Sequence, residues 1–272
     1  PSTESTEHLA SLAEVYGSVR YFHPALAIDG TAWDRRVAET VPKIIAATDG
    51  GSVARELDRM FAVLGDPGTR ITRSPERTER RDGVMLRVAS RTQGMLVVTL
   101  VPGNASPQSQ AAVANEVAAA RRVVFELRSD APLAPEAINQ VFSAAGLEQR
   151  LSSEKLNGVA QRVRTFSGYP PEQGGTSGGY TSAWKQIEGT AIEPIRGTTE
   201  KRVMFVVGAT VPIPAVAVAL QQAGRGALLV EAAPNAAALV RMHRVSLGQD
   251  LEAAVRLGDV VYADGTIGLR AD

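Results

Sequence analysis

Residues 201–234 read KRVMFVVGATVPIPAVAVALQQAGRGALLVEAAP. KRVMFVVG (201–208) is an apolar run and predicts a strand, residues 214–223 predict a helix, and GALLVEA (226–232) predicts a second strand. The alternation extends upstream. GMLVVTLVP (94–102), with its β-branched residues, and RVVFELR (122–128) predict strands. The Ala-rich stretch 108–120 and residues 135–145 predict helices, the latter with Ile138, Val141 and Phe142 on one face. MHRVSLG (242–248) and DVVYADG (259–265) add two candidate strands. Such alternation predicts an α/β fold with a mostly parallel sheet covered by helices. A continuous apolar strand such as VMFVV fits a sheet buried on both faces.

The first 65 residues carry a different period. Residues 5–20 predict a helix, with Leu9, Leu12, Ala13, Tyr16 and Val19 on its apolar face, Ser5 or Thr6 as its cap, and His23-Pro24 as its end. Residues 31–48 predict a second, with Trp33, Val37, Thr40, Val41, Ile44 and Ile45 inward and a break or kink allowed at Pro42. Residues 52–64 predict a third, striped by Val53, Leu57, Met60, Phe61 and Leu64. The organisation expected is a three-helix unit over 1–65, an Arg-rich linker or hairpin over 66–93, and an α/β core over 94–272. The Arg-rich segment carries seven Arg against three acids between Arg70 and Arg91, but no aromatic residues interleave to stack bases. GGTSGGYTSAW (174–184) lacks the spacing of a phosphate loop and reads as a surface loop.

Composition excludes several chemistries. The chain has 272 residues, 29 Lys+Arg against 29 Asp+Glu, and 44% hydrophobic residues, as in an ordinary globular protein of one or two domains. Balanced charge gives no general attraction to nucleic acid, so none is expected as a partner. Zero Cys removes disulfides, Cys-bound zinc, iron–sulfur clusters and thiol nucleophiles. The three histidines, His8, His23 and His243, do not suggest a His-rich metal site, and no metal or other cofactor is assigned. No apolar run reaches the ~20 residues that span a bilayer. The excess of Arg over Lys and the abundant Ala point to a GC-rich bacterial source. The chain begins at Pro1 with no secretion signal. A periplasmic or secreted location is expected if a leader was removed, and a cytoplasmic one otherwise.

Three stretches resemble the tail-specific, or C-terminal-processing, serine peptidases, the family that includes the tricorn core. The first is 12–47, where Tyr21, Phe22, His23, Pro24, Trp33 and Asp34 match a YFHP…WD signature, with LGDPGTR (64–70) downstream. The second is VVFELRSDAP (123–132), where Leu127 and Arg128 match a strand ending in DLR-N-PGG. The third is 204–234, where Ala219, Leu220, Gln221, Gly224 and Arg225 match the helix and glycine that come after a Ser-bearing turn. The resemblance implies a ClpP/crotonase-like core. It also implies a nucleophilic Ser, a Lys base and oxyanion-hole glycines, and this chain departs at all three. Val211 stands at the Ser position with Pro214 for the acid that opens the helix, and Ala236 or Ala237 stands at the Lys position. Asp130, Ala131 and Pro132 replace the glycines, and Pro132 has no N–H to donate. About 28 residues lie where the family's peptide-binding PDZ module would sit, too few for one.

No other constellation is assigned catalysis. Ser129, Ser177 and Ser182 lie in candidate loops, but there is no GxSxG elbow. Glu126 is expected to pair with Arg128, and His23 to be structural. Candidate binding residues are Arg128, Tyr180, Trp184 and His243. The leading reading is a catalytically degenerate peptidase-like module acting as a scaffold or binding unit. Its expected partner is an active peptidase half, as in a tandem protein, or a separate partner chain. The alternatives are a hydrolase using relocated residues or a partner chain, and a binder of a peptide or a small apolar ligand.

Overall fold

The alternation around residues 201–234 forms a five-stranded sheet in the computed structural model, which describes residues 3–27, 29–73, 83–92, 94–169, 179–248 and 251–272. Its strands are β2 (Val84–Thr92), β3 (Met95–Pro102), β4 (Arg122–Leu127), β7 (Arg202–Val207) and β8 (Gly226–Val230), side by side in that order. β2 and β3 are antiparallel; β3, β4, β7 and β8 are mutually parallel. The sheet is therefore mostly parallel and the protein is an α/β fold. The connections run through α4 (Pro107–Ala119), α5 (Pro135–Ser143) and α6 (Ala215–Gln222).

Register aligns Val98, Phe125, Phe205 and Leu228 across four strands, and all four are buried. Phe142 from α5 closes over this row. Its ring lies 5.1 Å from Phe125, which stacks at 5.1 Å on Phe205. Burying side chains of this size stabilises by about 2 kcal/mol each. The opposite face differs from the expectation of burial on both sides. Val97, Val124 and Val206 are half-buried there, and Met95, Met204 and Leu229 are exposed. Period-two alternation puts Phe205 inside and Met204 outside within the same apolar run.

The N-terminal helices are α1 (Thr3–Phe22), α2 (Thr31–Ala46) and α3 (Gly50–Phe61). Pro42 does not break α2, and Asp49 caps α3 by accepting from the Ser52 N–H at 2.8 Å. The buried stripe of α1 is His8, Leu12, Val15 and Val19, so Ala13 faces outward. Ile45 of α2 is also exposed. These helices share their core with strands far away in the chain. β9 (Met242–Gly248) and β10 (Leu251–Arg256) pair antiparallel, and β1 (Arg70–Arg73) adds to β10. Val245, Leu247, Ala253 and Val255 from this sheet pack with Trp33, Ile44, Leu57 and Met60. β1 and β2, at the two described ends of the Arg-rich segment, belong to different sheets.

Of the stretch read as a surface loop, residues 174–178 fall outside the described residues, and 179–184 lie in a strand of a β-ribbon. β5 (Ala160–Tyr169) and β6 (Gly179–Ile187) pair antiparallel, and β11 (Gly258–Val261) lies on the other side of β5. Just outside the ribbon's ends, a Cβ added to Gly158 would lie 2.3 Å from the Gly189 carbonyl carbon, a distance no side chain tolerates. By internal contacts the chain forms two units. One comprises Pro1–Glu79, Gln161–Ile187 and Val240–Asp259; the other comprises Arg80–Ala160, Glu188–Leu239 and Val260–Asp272.

Within the first unit, a buried ion network joins the YFHP and LGDPGTR motifs. The Nε2 of fully buried His23 lies 3.0 Å from Asp66 Oδ2, and its Nδ1 accepts the Ala25 N–H at 3.2 Å. This fixes the neutral tautomer, with Nε2–H donating to Asp66. Arg256 Nε meets the same carboxylate oxygen at 3.0 Å, and the Thr69 hydroxyl donates to it at 2.8 Å. Arg256 continues to Asp259 at 3.3 Å, and Arg162 reaches Asp259 at 3.1 Å. Burial alone pushes the Asp66 carboxyl up, but the His23 hydrogen bond, the Arg256 charge and the Thr69 hydroxyl hold it far below the usual carboxylate range.

A group whose folded pKa is depressed contributes fully above its unfolded value, near pH 4, and the contribution is lost as pH falls towards the folded value. Asp66→Asn should cost about 3 kcal/mol at neutral pH, because it leaves buried positive charge uncompensated. Urea unfolding of both proteins across pH 2–7 should show the gap narrowing below about pH 4. A gap that is constant with pH would mean the loss is packing and not charge.

Candidate functional site

Loops beyond the C-terminal ends of adjacent parallel strands are where α/β folds place ligands. Here the loops after β4, β7 and β8 converge. The Gly208 N–H donates to Leu127 O at 2.8 Å, and the Glu231 N–H to Val207 O at 3.1 Å. The turn after β7 is tied to its neighbours on both sides. The Thr210 hydroxyl donates to Ser129 O at 2.5 Å, the Leu133 N–H to Thr210 O at 3.4 Å, and the Ile213 N–H to Asn235 O at 3.0 Å. Arg128 leaves the end of β4 and pairs with Glu231 after β8, Nε to Oε1 at 2.7 Å, and not with Glu126.

Val211 lies inside this turn and is 1% exposed. Ile213, Ala236 and Ala237 beside it are buried as well. The concavity lined by Gly208, Val211, Ile213, Ala232, Pro234 and Asn235 is too narrow to admit a water molecule. Between Gly208 and Ile213 the sequence supplies one hydroxyl, that of Thr210, and its proton is committed to Ser129 O. Lys201, a base by residue type, precedes β7 and so stands at the other end of that strand, on the order of 20 Å away. Its Nζ donates to Ala118 O and Ala120 O at 2.9 and 3.1 Å, a clasp on the C-terminal end of α4, and burial pushes its pKa down. Among the described residues of these loops, Ser129 and Thr210 carry hydroxyls, and each donates to a backbone carbonyl.

Two residues with structural roles here were not singled out in the sequence. Asn139 of α5 donates to Ala238 O at 2.8 Å and accepts the first α6 N–H, from Ala215, at 3.1 Å. It staples the start of α6 to the segment carrying Ala236 and Ala237. Asn235 accepts the Ala237 N–H at 3.0 Å, while its buried Nδ2 has no hydrogen-bond partner. An Asn on a helix face gives no sequence signal for either role.

The predicted binding residues are distributed. Arg128 is at the converging loops. Trp184 is on β6, its ring 4.2 Å from the Arg162 guanidinium carbon. Tyr180 stands opposite Gly168 in the β5–β6 ladder. His243 on β9 pairs with Glu14 of α1 at 3.4 Å. Ser182 lies on β6, and Ser129 is engaged with Ala131. Ser177 falls outside the described residues. Among the described residues no Ser hydrogen-bonds to a His, and no cluster of three or more metal-ligating side chains occurs.

Comparison with solved structures identifies this architecture. A candidate peptidase from Parabacteroides merdae superposes with a TM-score of 0.55 at 9% identity, covering 97% of this chain and 86% of that one. Mature CPAF, in its complex with lactacystin, gives 0.53 at 7% identity, with 99% and 94% covered. A lipoprotein from Streptococcus agalactiae gives 0.51 at 11% identity, with 99% and 89% covered. The fold is peptidase-like. No protein-family model and no curated protein matches the sequence. At such identities the likeness concerns the fold. Gln221 and Arg225, matched in the sequence to the peptidase helix, have structural partners here. Gln221 accepts from the Tyr262 hydroxyl at 2.9 Å, and Arg225 donates to the Ser152 hydroxyl at 3.1 Å.

If Asn139 is the staple described, Asn139→Ala should lower stability by about 2 kcal/mol, the sum of a lost helix cap and a buried carbonyl left unpaired. Chemical denaturation measures this. An unchanged midpoint would remove Asn139 from the account of the site.

Proposed function

We propose that this chain is a catalytically degenerate serine-peptidase-like module that works by binding or scaffolding. The observation that carries this reading is Val211. It occupies the place of the nucleophile in the sequence resemblance, it has no nucleophilic atom, and its side chain is buried. The alanines in place of the base and Pro132 in place of an oxyanion donor support the same reading.

The test is chemical. A fluorophosphonate probe, which modifies activated serines irrespective of substrate, should leave the full chain unlabelled by mass spectrometry under conditions that label an active serine peptidase stoichiometrically. Labelling of any Ser would show a relocated nucleophile and overturn the reading.

A second reading, a small-ligand binder, is favoured by a separate observation in the other unit: Trp184 is exposed beside clustered guanidinium groups.

A further inference from the structure

The ladder of β5 and β6 pairs Arg162 with Gln186, Arg164 with Trp184, and Phe166 with Ser182, so these residues share one face of the ribbon. The C-terminal end of α1 meets that face. Tyr21 and Phe22 both pack edge-on against Phe166, with centroids at 5.5 and 5.4 Å. Arg164 lies over the Phe166 ring at 4.9 Å and 6.0 Å from the Trp184 ring. Its Nη1 is buried without a hydrogen-bond partner. Burial and the nearby charge of Arg20 both push its pKa down.

The charge balance of this face is uneven by one. Arg20 is paired with Asp34 at 3.1 Å, and Arg162 with Asp259 at 3.1 Å. Arg256 is divided between Asp66 and Asp259, so the acids and guanidiniums of that network cancel. Arg164 has no acid among the described residues. A guanidinium with an unsatisfied edge between aromatic rings presents the fork that a carboxylate accepts side-on. One surplus charge matches a monoanion better than a phosphate dianion. Trp184 and Tyr21 are 38% and 50% exposed, leaving aromatic surface open next to the guanidinium.

We propose that this face of the β5–β6 ribbon binds a small aromatic carboxylate, with Arg164 holding the carboxylate and Trp184 stacking on the ligand's ring. Arg164 is half-exposed as a residue, so the anion approaches its guanidinium from solvent. Arg162, fixed by Asp259 beneath the Trp184 ring, positions that ring and does not itself contact the ligand. The proposal is independent of the peptidase-like reading of the other unit.

Isothermal titration of the full chain with 3-phenylpropionate tests it, with 3-phenylpropanamide, propionate and inorganic phosphate as companions. Saturable one-to-one binding is expected for 3-phenylpropionate and for none of the companions at equal concentration. Arg164→Gln should weaken binding roughly tenfold or more, the loss of a charge-assisted hydrogen-bond pair. Trp184→Ala, at an exposed position that leaves folding intact, should weaken it several-fold. Lys185→Gln, on the adjacent rung but the opposite face of β6, should leave it unchanged. The proposal fails if the amide binds as well as the acid, if propionate or phosphate binds equally well, or if the wild-type chain shows no binding at millimolar ligand. It fails equally if Trp184→Ala binds as the wild type does, or if Lys185→Gln weakens binding as much as Arg164→Gln.

Discussion

The buried carboxylate of Asp66 is the constraint on which the arrangement of the first unit depends. A charge removed from water must be matched by partners held in place. Two of those partners come from distant segments, His23 at the end of α1 and Arg256 at the end of β10, and the third, Thr69, lies three residues on at the entrance to β1. Satisfying one carboxylate thus fixes where three chain segments meet. The chain of contacts continues through Asp259 to Arg162, and from Arg162 to the face of Trp184. The ribbon is thereby oriented from beneath by an ion network whose far end is the tightly held Asp66.

Much of this is legible in local sequence, because helix and strand periods are set by local sterics. The run around 201–234, the helices near 31–46 and 50–61, and strands such as 242–248 are set by residue spacing. The motifs YFHP and LGDPGTR supply His23 and Asp66, and the structure shows each as the other's partner. Sequence cannot supply the pairing itself. Residues 242–248 read as a strand, but nothing local says that Val245 and Leu247 bury against Trp33 and Leu57 more than 180 residues earlier. Arg128 illustrates the same limit. The nearest acid along the strand, Glu126, is two residues away, yet the partner is Glu231, brought alongside by the parallel register of β4, β7 and β8. The phase of α1 differs from its sequence reading because Ala13 is small enough to sit on either face. The β5–β6 ribbon escapes that reading because glycines next to a strand obscure an alternation, QRVRTF, that is plain once isolated.

On the proposed reading, the candidate site keeps a peptidase-like architecture without the family's chemistry. The parallel strands need only apolar side chains in register, and Phe125, Phe142 and Phe205 supply these whatever loops the strands lead into. The loops themselves face two opposed demands. Catalysis requires an exposed hydroxyl, a nearby base and unpaired N–H donors directed at empty space, each of which lowers stability. Folding favours filling the space and pairing the donors. Val211 and Ile213 fill it, and Thr210, Leu133 and Ile213 commit their donors to neighbouring carbonyls.

The loop cluster and the ribbon are opposites in this respect. In the loop cluster the side chains of Thr210 and Asn139 are hydrogen-bonded, and the Nδ2 of Asn235 is left over without a partner. On the ribbon, Arg164 keeps an unused buried donor close to the half-exposed rings of Trp184 and Tyr21. A buried unsatisfied donor costs stability wherever it occurs. Where the surroundings are closed, that cost is only a packing defect. Where they are open and aromatic, a bound carboxylate can offset it.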